Sequence, residues 1–432
     1  MKPSRLFLTP FLLLLLPISA AFAQSGVPSA PVTVFDNAGS EVPYRIPALA
    51  QTREGRLLAV ADYRISHTDI GFNNRNGLYQ INEVMRYSDD GGKTWSAPQI
   101  IAEGDENASD PVRTAFGDPS IVADRLSDEV LMHCVAGKTG YFVATRHDPQ
   151  HAFFFRSLDG GRTWDKGEEL TEMIYGLYDG KLSDGKPADG IFLTSGRIMQ
   201  SRYVRVGKYY RLYIAHPVKR SGYDRTGTFV IYSDDFGRTW RSLGDPAREV
   251  PSVAQDESKL EELPDGSVLL SCRDAGGGRR FNVFVYSDPS NAKGSWGKEV
   301  MPDNMTGAEV NACNGEVLVL PVTRKSDGSP LHLVLQSVPQ SPKRTDVGFY
   351  FKEIASSGDY STAESLGSGW QKGLRVTDKD SCYSTMILMD DGRIGFLYEE
   401  SSHNDGYDII FRSLSLEEIT GDRYTLRPGF LR

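Results

Sequence analysis

Ionisable side chains that could work together gather in a few short stretches of this 432-residue chain. Tyr44-Arg45-Ile46-Pro47 is followed by Asp62-Tyr63-Arg64 and then by Asp69, in the polar run Ser66-His67-Thr68-Asp69-Ile70-Gly71. Asp118 stands in Phe116-Gly117-Asp118-Pro119-Ser120. The segment 255–274 holds Glu257, Glu261, Glu262 and Arg273, and the last stretch joins Asp380-Ser381-Cys382-Tyr383 to Tyr398-Glu399. Carboxylates near arginines can move protons and hold an anion. Taken singly they say little, because a lone arginine is usually a surface or ion-paired residue and a lone tyrosine a core residue.

Other chemistries fit the spacing poorly. Asp179, Asp184 and Asp189 lie in the glycine-rich stretch 176–190, which reads as a long surface loop. Each is followed by glycine, a turn pattern and not that of a calcium loop, so no metal is expected. Cys134, Cys272, Cys313 and Cys382 are too few and scattered for a disulfide scaffold, and no C-x-x-C suggests zinc. They read as small buried residues whose pairing, if any, cannot be deduced. Cys272 and Cys382 immediately precede Arg273 and Tyr383, so strand alternation would turn them to the opposite face. The net charge of −9 offers no basic footprint for nucleic acid.

The elements that must position these groups announce themselves by repetition. Ser88-Asp89-Asp90-Gly91-Gly92-Lys93-Thr94-Trp95 returns as Ser157-Leu158-Asp159-Gly160-Gly161-Arg162-Thr163-Trp164 and Ser233-Asp234-Asp235-Phe236-Gly237-Arg238-Thr239-Trp240. The shared S-x-D-x-G-x-T-W predicts a hairpin turn. The Asp accepts backbone N–H groups, the Gly takes positive φ, and Thr-Trp opens the next strand with its ring inward. Weaker echoes end at Trp296 and Trp370, so all 5 tryptophans close one of these phrases. The copies recur roughly every 70 residues, which predicts one four-stranded blade per repeat in an all-β fold.

The phrase is the Asp-box, and the chain resembles the bacterial exo-α-sialidases (neuraminidases) of the Asp-box propeller family. Tyr44-Arg45-Ile46-Pro47 matches that family's Tyr/Phe-Arg-Ile-Pro signature. The hairpin across Pro264-Asp265-Gly266 matches its Glu-and-Arg hairpin, and Tyr383-Ser384 through Gly395-Phe396-Leu397-Tyr398-Glu399 matches its closing hairpin. The resemblance runs from about residue 35 to 415 and implies a six-bladed β-propeller over a 24–432 catalytic domain. It also implies roles. Tyr383 would be the nucleophile, Glu257 its base and Asp69 the acid–base, with Asp62 competing for the last position. Arg45, Arg273 and Arg344 would hold the sialic acid carboxylate, with Arg324 as runner-up to Arg344. Arg64 and Asp118 would bind substrate, and Glu399 would brace Arg45. Glu261 and Glu262 compete with Glu257 by composition, but Glu261 lies deeper in its strand toward the turn.

The implied chemistry is coherent. Arginines can grip a carboxylate through charge-assisted, partly bidentate bonds. A neutral tyrosine avoids the repulsion an anionic nucleophile would meet there, but its pKa of ~10 demands a neighbouring base. Retention through a sialyl-tyrosine results, an exception to the paired-carboxylate rule, with no cofactor and with sialylated glycans as partners. A trans-sialidase, an anhydro-product former, an enzyme for deaminated sialic acid and a non-catalytic glycan-binding propeller are the competing readings. Lys2, Arg5, the apolar run 6–16 and Ala21-Phe22-Ala23 read as a secretory leader over 1–23, so export to the periplasm or medium is expected.

Overall fold

The computed structural model describes residues 30–428 except 38–39, 75, 221–226, 255, 275–277, 304, 306–312 and 403–405. The leader expected over 1–23 lies outside them. The strands fall into six separate sheets of four or five strands, almost wholly antiparallel. Their succession along the chain makes a six-bladed β-propeller, as the repeat spacing and the resemblance predict.

Blade one comprises Tyr44–Gln51, Leu57–Tyr63, Asn82–Ser88 and Gln99–Ala102; blade two comprises Phe116–Ala123, Val130–Ala136, His151–Ser157 and Glu168–Glu169, with Gly196–Arg197 added in parallel. In blade three, Ala188–Ile191 and Met199–Val206 pair with different stretches of Tyr209–Arg220, followed by Gly227–Ser233 and Arg241–Ser242. Blade four is Ser258–Glu262, Val268–Arg273, Arg279–Asp288 and Lys293–Trp296; blade five is Val317–Arg324, Pro330–Pro339, Val347–Ile354 and Gln371–Arg375, edged by Tyr424–Leu426. Blade six is Ser381–Leu388, Ile394–Ser401 and Tyr407–Leu414, and its outer strand is the N-terminal Val32–Phe35. Val32 lies opposite Phe411, so backbone hydrogen bonds between the two chain ends close the ring.

The core lies between blades. One apolar cluster joins Leu58 and Met85 of blade one to Phe116 and Phe153 of blade two; another joins Phe281 of blade four to Val334 and Tyr350 of blade five. A strand covered on both faces reads as a continuous apolar run, which explains Val130–Ala136 and Leu57–Tyr63.

The Asp-boxes form the predicted turns. Asp90 Oδ1 accepts from Lys93 N and Thr94 N, each at 3.0 Å, its Oδ2 accepts from Thr94 Oγ1 at 2.6 Å, and Ser88 Oγ accepts from Gly92 N at 2.9 Å. Asp159 and Asp235 repeat the pattern. Each box also seals a blade junction. A Cβ on Gly92, Gly161 or Gly237 would meet Phe411, Leu58 or Leu131 of the preceding blade at 2.0, 2.8 or 2.3 Å. Only glycine, with its φ of 86°, 82° or 78°, fits there. One detail differs from expectation: after the first and second boxes the next strand starts only at Gln99 and Glu168, four residues beyond Trp95 and Trp164.

The stretch 176–190 also differs from a surface loop. It follows the helix Thr171–Tyr175 and buries Tyr178 and Leu182 in the blade-three core. Arg146 ties it down through Asp179 Oδ2 at 2.9 Å and through its own N–H to Asp189 Oδ1. Among the described residues, no helix is long and apolar enough to cross a membrane.

Candidate active site

A pocket of about 250 Å³ opens where loops and inner strands of all six blades converge. Blade one supplies Arg45 and Asp69, blade two Asp118, blade four Asp256, Glu257 and Arg273, blade five Arg344 and blade six Tyr383. The three arginines expected to share an anion thus come from three different blades. Arg324, the runner-up, is engaged elsewhere, with Glu353 at 2.7 Å and Asp327 at 2.8 Å. Glu261 lies in a second cavity, lined by Arg125, Arg197 and Arg202, and pairs with the last two.

Backbone bulges aim the pocket residues. Pairing registers slip between Arg45 and Ala48, between Gly117 and Ser120, and between Ser381 and Ser384. Each slip releases a strand from simple alternation. Ile46 and Asp118 both adopt left-handed backbone, with φ of 58° and 60°, and each precedes a proline. Non-glycine residues hold that conformation only when their surroundings enforce it. A buried carboxylate does so in each case: Ile46 N donates to Glu399 Oε1, and Asp118 N to Asp62 Oδ1, both at 2.9 Å.

Glu399 braces Arg45 as expected, with Arg45 Nε to Oε1 at 2.8 Å and Nη2 to Oε2 at 3.2 Å; it also receives Tyr383 N at 3.1 Å. Burial alone would raise its pKa, but Arg45 and the backbone donors bring it below the usual glutamate range. One side chain therefore fixes the backbone beside Arg45 and at Tyr383.

Arg273 Nη1 donates to Glu257 Oε2 at 2.6 Å and to the Tyr383 hydroxyl at 3.2 Å, bridging the expected base and nucleophile. Arg273 Nε also pairs with Asp256 at 3.2 Å. Burial pushes the Glu257 carboxyl up, against the opposing charge of Arg273. Burial and the Glu257 charge hold the Tyr383 phenol well above its ordinary value, so unassisted ionisation of Tyr383 is negligible at neutral pH.

Arg64, expected to bind substrate, is not among the residues lining the pocket. It is buried beneath the pocket, its guanidinium engaged by Asp62, with Nε to Oδ2 at 2.9 Å, and by Asp69. Asp62, the competitor for the acid–base position, is thereby a structural partner. Arg64 holds Asp69 below the usual aspartate range, helped by Arg45 and Arg344. Behind it, burial raises Asp62 to about 6 and drives Asp118 and Glu83 up as well. Glu83 lies opposite Asp62 on the neighbouring strand, fully buried, with neither carboxyl oxygen hydrogen-bonded.

Sequence reasoning missed Glu83 and the pocket's apolar wall. Ile70, Phe72, Tyr141, Phe142 and Phe192 line one side, with Phe142 75% exposed at the rim. No repeat marks these loop residues. Glu83 carried little signal, since its strand Asn82–Ser88 also holds Asn82 and Arg86; only its register opposite Asp62 singles it out.

Fold and site define a six-bladed Asp-box propeller with an arginine-rich pocket. Residues 75–396 match the profile of the BNR repeat-like domain, well over half the chain, and the protein belongs to that family. A curated sialidase of Micromonospora viridifaciens is 29% identical over 371 residues, covering 82% of this chain and 50% of the relative; the chain spans half that protein's length. Among solved structures, the intramolecular trans-sialidase of Ruminococcus gnavus shares the fold with a TM-score of 0.67 at 16% identity, over 90% of this chain and 98% of that one. Trypanosoma rangeli sialidase, solved as a covalent intermediate with 2,3-difluorosialic acid, has a TM-score of 0.62 at 18% identity, over 90% and 58% of the two chains.

Proposed function

We propose that the protein is an exo-α-sialidase that removes terminal sialic acid from glycans with retention, through a sialyl-tyrosine intermediate on Tyr383. The observation that carries this reading is the convergence of Arg45, Arg273 and Arg344 with Tyr383, Glu257 and Asp69 in one pocket. The sequence relationship to a curated sialidase supports it. Arg45, Arg273 and Arg344 grip the carboxylate beside the anomeric carbon. Asp118 and Arg64 complete the polar surroundings, Arg64 acting through Asp69. Glu257 takes the Tyr383 proton as the phenolic oxygen attacks, while Asp69 protonates the leaving glycosidic oxygen. In the second half-reaction Asp69 takes a proton from water, which attacks the anomeric carbon, and Glu257 returns the proton to Tyr383.

The charges give Asp69 a built-in trigger. Arg45 and Arg344 are among the groups that keep it ionised. A bound carboxylate neutralises them, so Asp69 gains proton affinity when substrate arrives. The leader sequence supports action outside the cytoplasm, on sialylated glycoproteins, glycolipids or oligosaccharides. The test is incubation of the purified protein with α2,3- and α2,6-sialyllactose, followed by NMR. Free sialic acid appearing first as the α-anomer is the expected result. An anhydro-sugar or transfer to lactose would replace hydrolysis by a trans-sialidase reaction at the same residues. No turnover by a folded protein would overturn the reading.

A further inference from the structure

Two of the four cysteines meet beside the pocket. Cys313 Sγ and Cys382 Sγ are 3.0 Å apart, both fully buried and 69 residues apart in sequence. That is closer than the ~3.5–4.0 Å optimum for non-bonded heavy atoms and about 1 Å beyond a bonded pair at ~2.05 Å. Strand alternation would have turned Cys382 away from the site. The bulge between Ser381 and Ser384 instead brings its sulfur to Arg344, whose Nη1 lies at 3.1 Å. The backbones on either side are already held together, Ser384 N donating to Asn314 O at 3.2 Å. Cys134 and Cys272 sit in second strands of other blades, in separate apolar clusters.

We propose that Cys313 and Cys382 form a disulfide in the exported protein, a covalent staple between blades five and six next to Tyr383. Among the described residues, the ring of blades is otherwise closed by strand pairing. The loop this bond would close contains the main strands of blade five, from Val317–Arg324 to Gln371–Arg375. An oxidising compartment supplies the oxidant, an external disulfide such as oxidised glutathione. One cysteine, as thiolate, attacks that disulfide and expels a glutathione thiolate. The second cysteine, giving up its proton, displaces the other glutathione. One S–S bond forms and one breaks, the two cysteines are oxidised, and two glutathione thiols carry away two electrons and two protons. Because both sulfurs are buried in the folded chain, the exchange belongs to folding, before the last blade closes.

The staple is independent of the reaction proposed above, and its test does not use turnover. Protein exported to the periplasm, or refolded with oxidised and reduced glutathione, is denatured and alkylated with iodoacetamide, with or without prior reduction. The expected result is two alkylated cysteines without reductant and four with it, and a non-reducing digest in which the Cys313 and Cys382 peptides are linked. Four alkylations without reductant, or a link through Cys134 or Cys272, would overturn the proposal. The oxidised protein should also melt several degrees above the same protein after reduction. C134S and C272S should keep that difference and C382S should abolish it; a difference that survives in C382S would contradict the assignment.

Discussion

Replacing Glu399 by glutamine removes one charge and alters little volume, so its effect isolates the hydrogen bonds of the carboxylate. There are four: Arg45 Nε and Ile46 N donate to Oε1, Arg45 Nη2 and Tyr383 N to Oε2. An amide has one accepting oxygen, so whichever way it turns, two donors meet an NH₂ group and go unanswered. Bonds to a charged group contribute about 1.5–3 kcal/mol each. Arg45 keeps some access to water, with 22% of its side chain exposed, so part of its loss is recovered. The expected destabilisation of Glu399→Gln is about 3 kcal/mol, within the range for a broken buried pair. Urea unfolding followed by tryptophan fluorescence would read it. The variant should also lose the wild type's acid sensitivity at this site. The native carboxyl sits below its ordinary pKa, so its stabilisation is present above the unfolded value and lost as pH falls through the folded one. Relaxation of Ile46 and Tyr383 should lower kcat/KM by about 100-fold, the scale of an ångström-sized misplacement. Stability within about 0.5 kcal/mol of wild type together with unchanged turnover would refute this account of the brace.

Three other outcomes are expected from neighbouring observations. Gly92→Ala should cost about 2–4 kcal/mol in urea unfolding, because left-handed backbone and a contact with Phe411 penalise the same Cβ. Glu83 is buried with its pKa raised, so the native state binds its proton more tightly than the unfolded chain, and stability falls as pH climbs from the ordinary glutamate value through the folded one. Glu83→Gln should therefore gain melting temperature relative to wild type at pH 8 compared with pH 5, and an equal difference at both would contradict a protonated Glu83. Arg344→Ala should raise KM for a sialoside at least 10-fold, whereas Arg324→Ala, which removes contacts to Glu353 and Asp327 away from the pocket, should leave KM unchanged.

Much of this was legible because the determinants are local. An Asp-box encodes its own hydrogen bonds within eight residues, so its copies reveal turns, blades and period together. The sequence also separates Glu257 from Glu261, since strand direction carries one toward the pocket and the other toward the second cavity. What stayed hidden depends on contacts between distant segments. The pairing of Arg64 with Asp62 and Asp69 is seen only once the chain is folded. Cys382 reads as pointing away from the site until the bulge is seen. Ile46-Pro47 and Asp118-Pro119 did carry a signal: proline inside an inner strand marks a bulge. Phe142 and Phe72 carried none, since pocket-wall residues on loops obey no period.

The central claim is that Tyr383 attacks the sugar. Incubation with 2,3-difluorosialic acid, digestion and mass spectrometry would test it most directly, because the 3-fluoro group slows breakdown of the glycosyl-enzyme while fluoride leaves from carbon 2. The account predicts a single peptide heavier by one fluorosialyl group, with the label on the Tyr383 oxygen and none in Tyr383→Phe. A label on Asp69 or Glu257, or undiminished labelling of Tyr383→Phe, would contradict it.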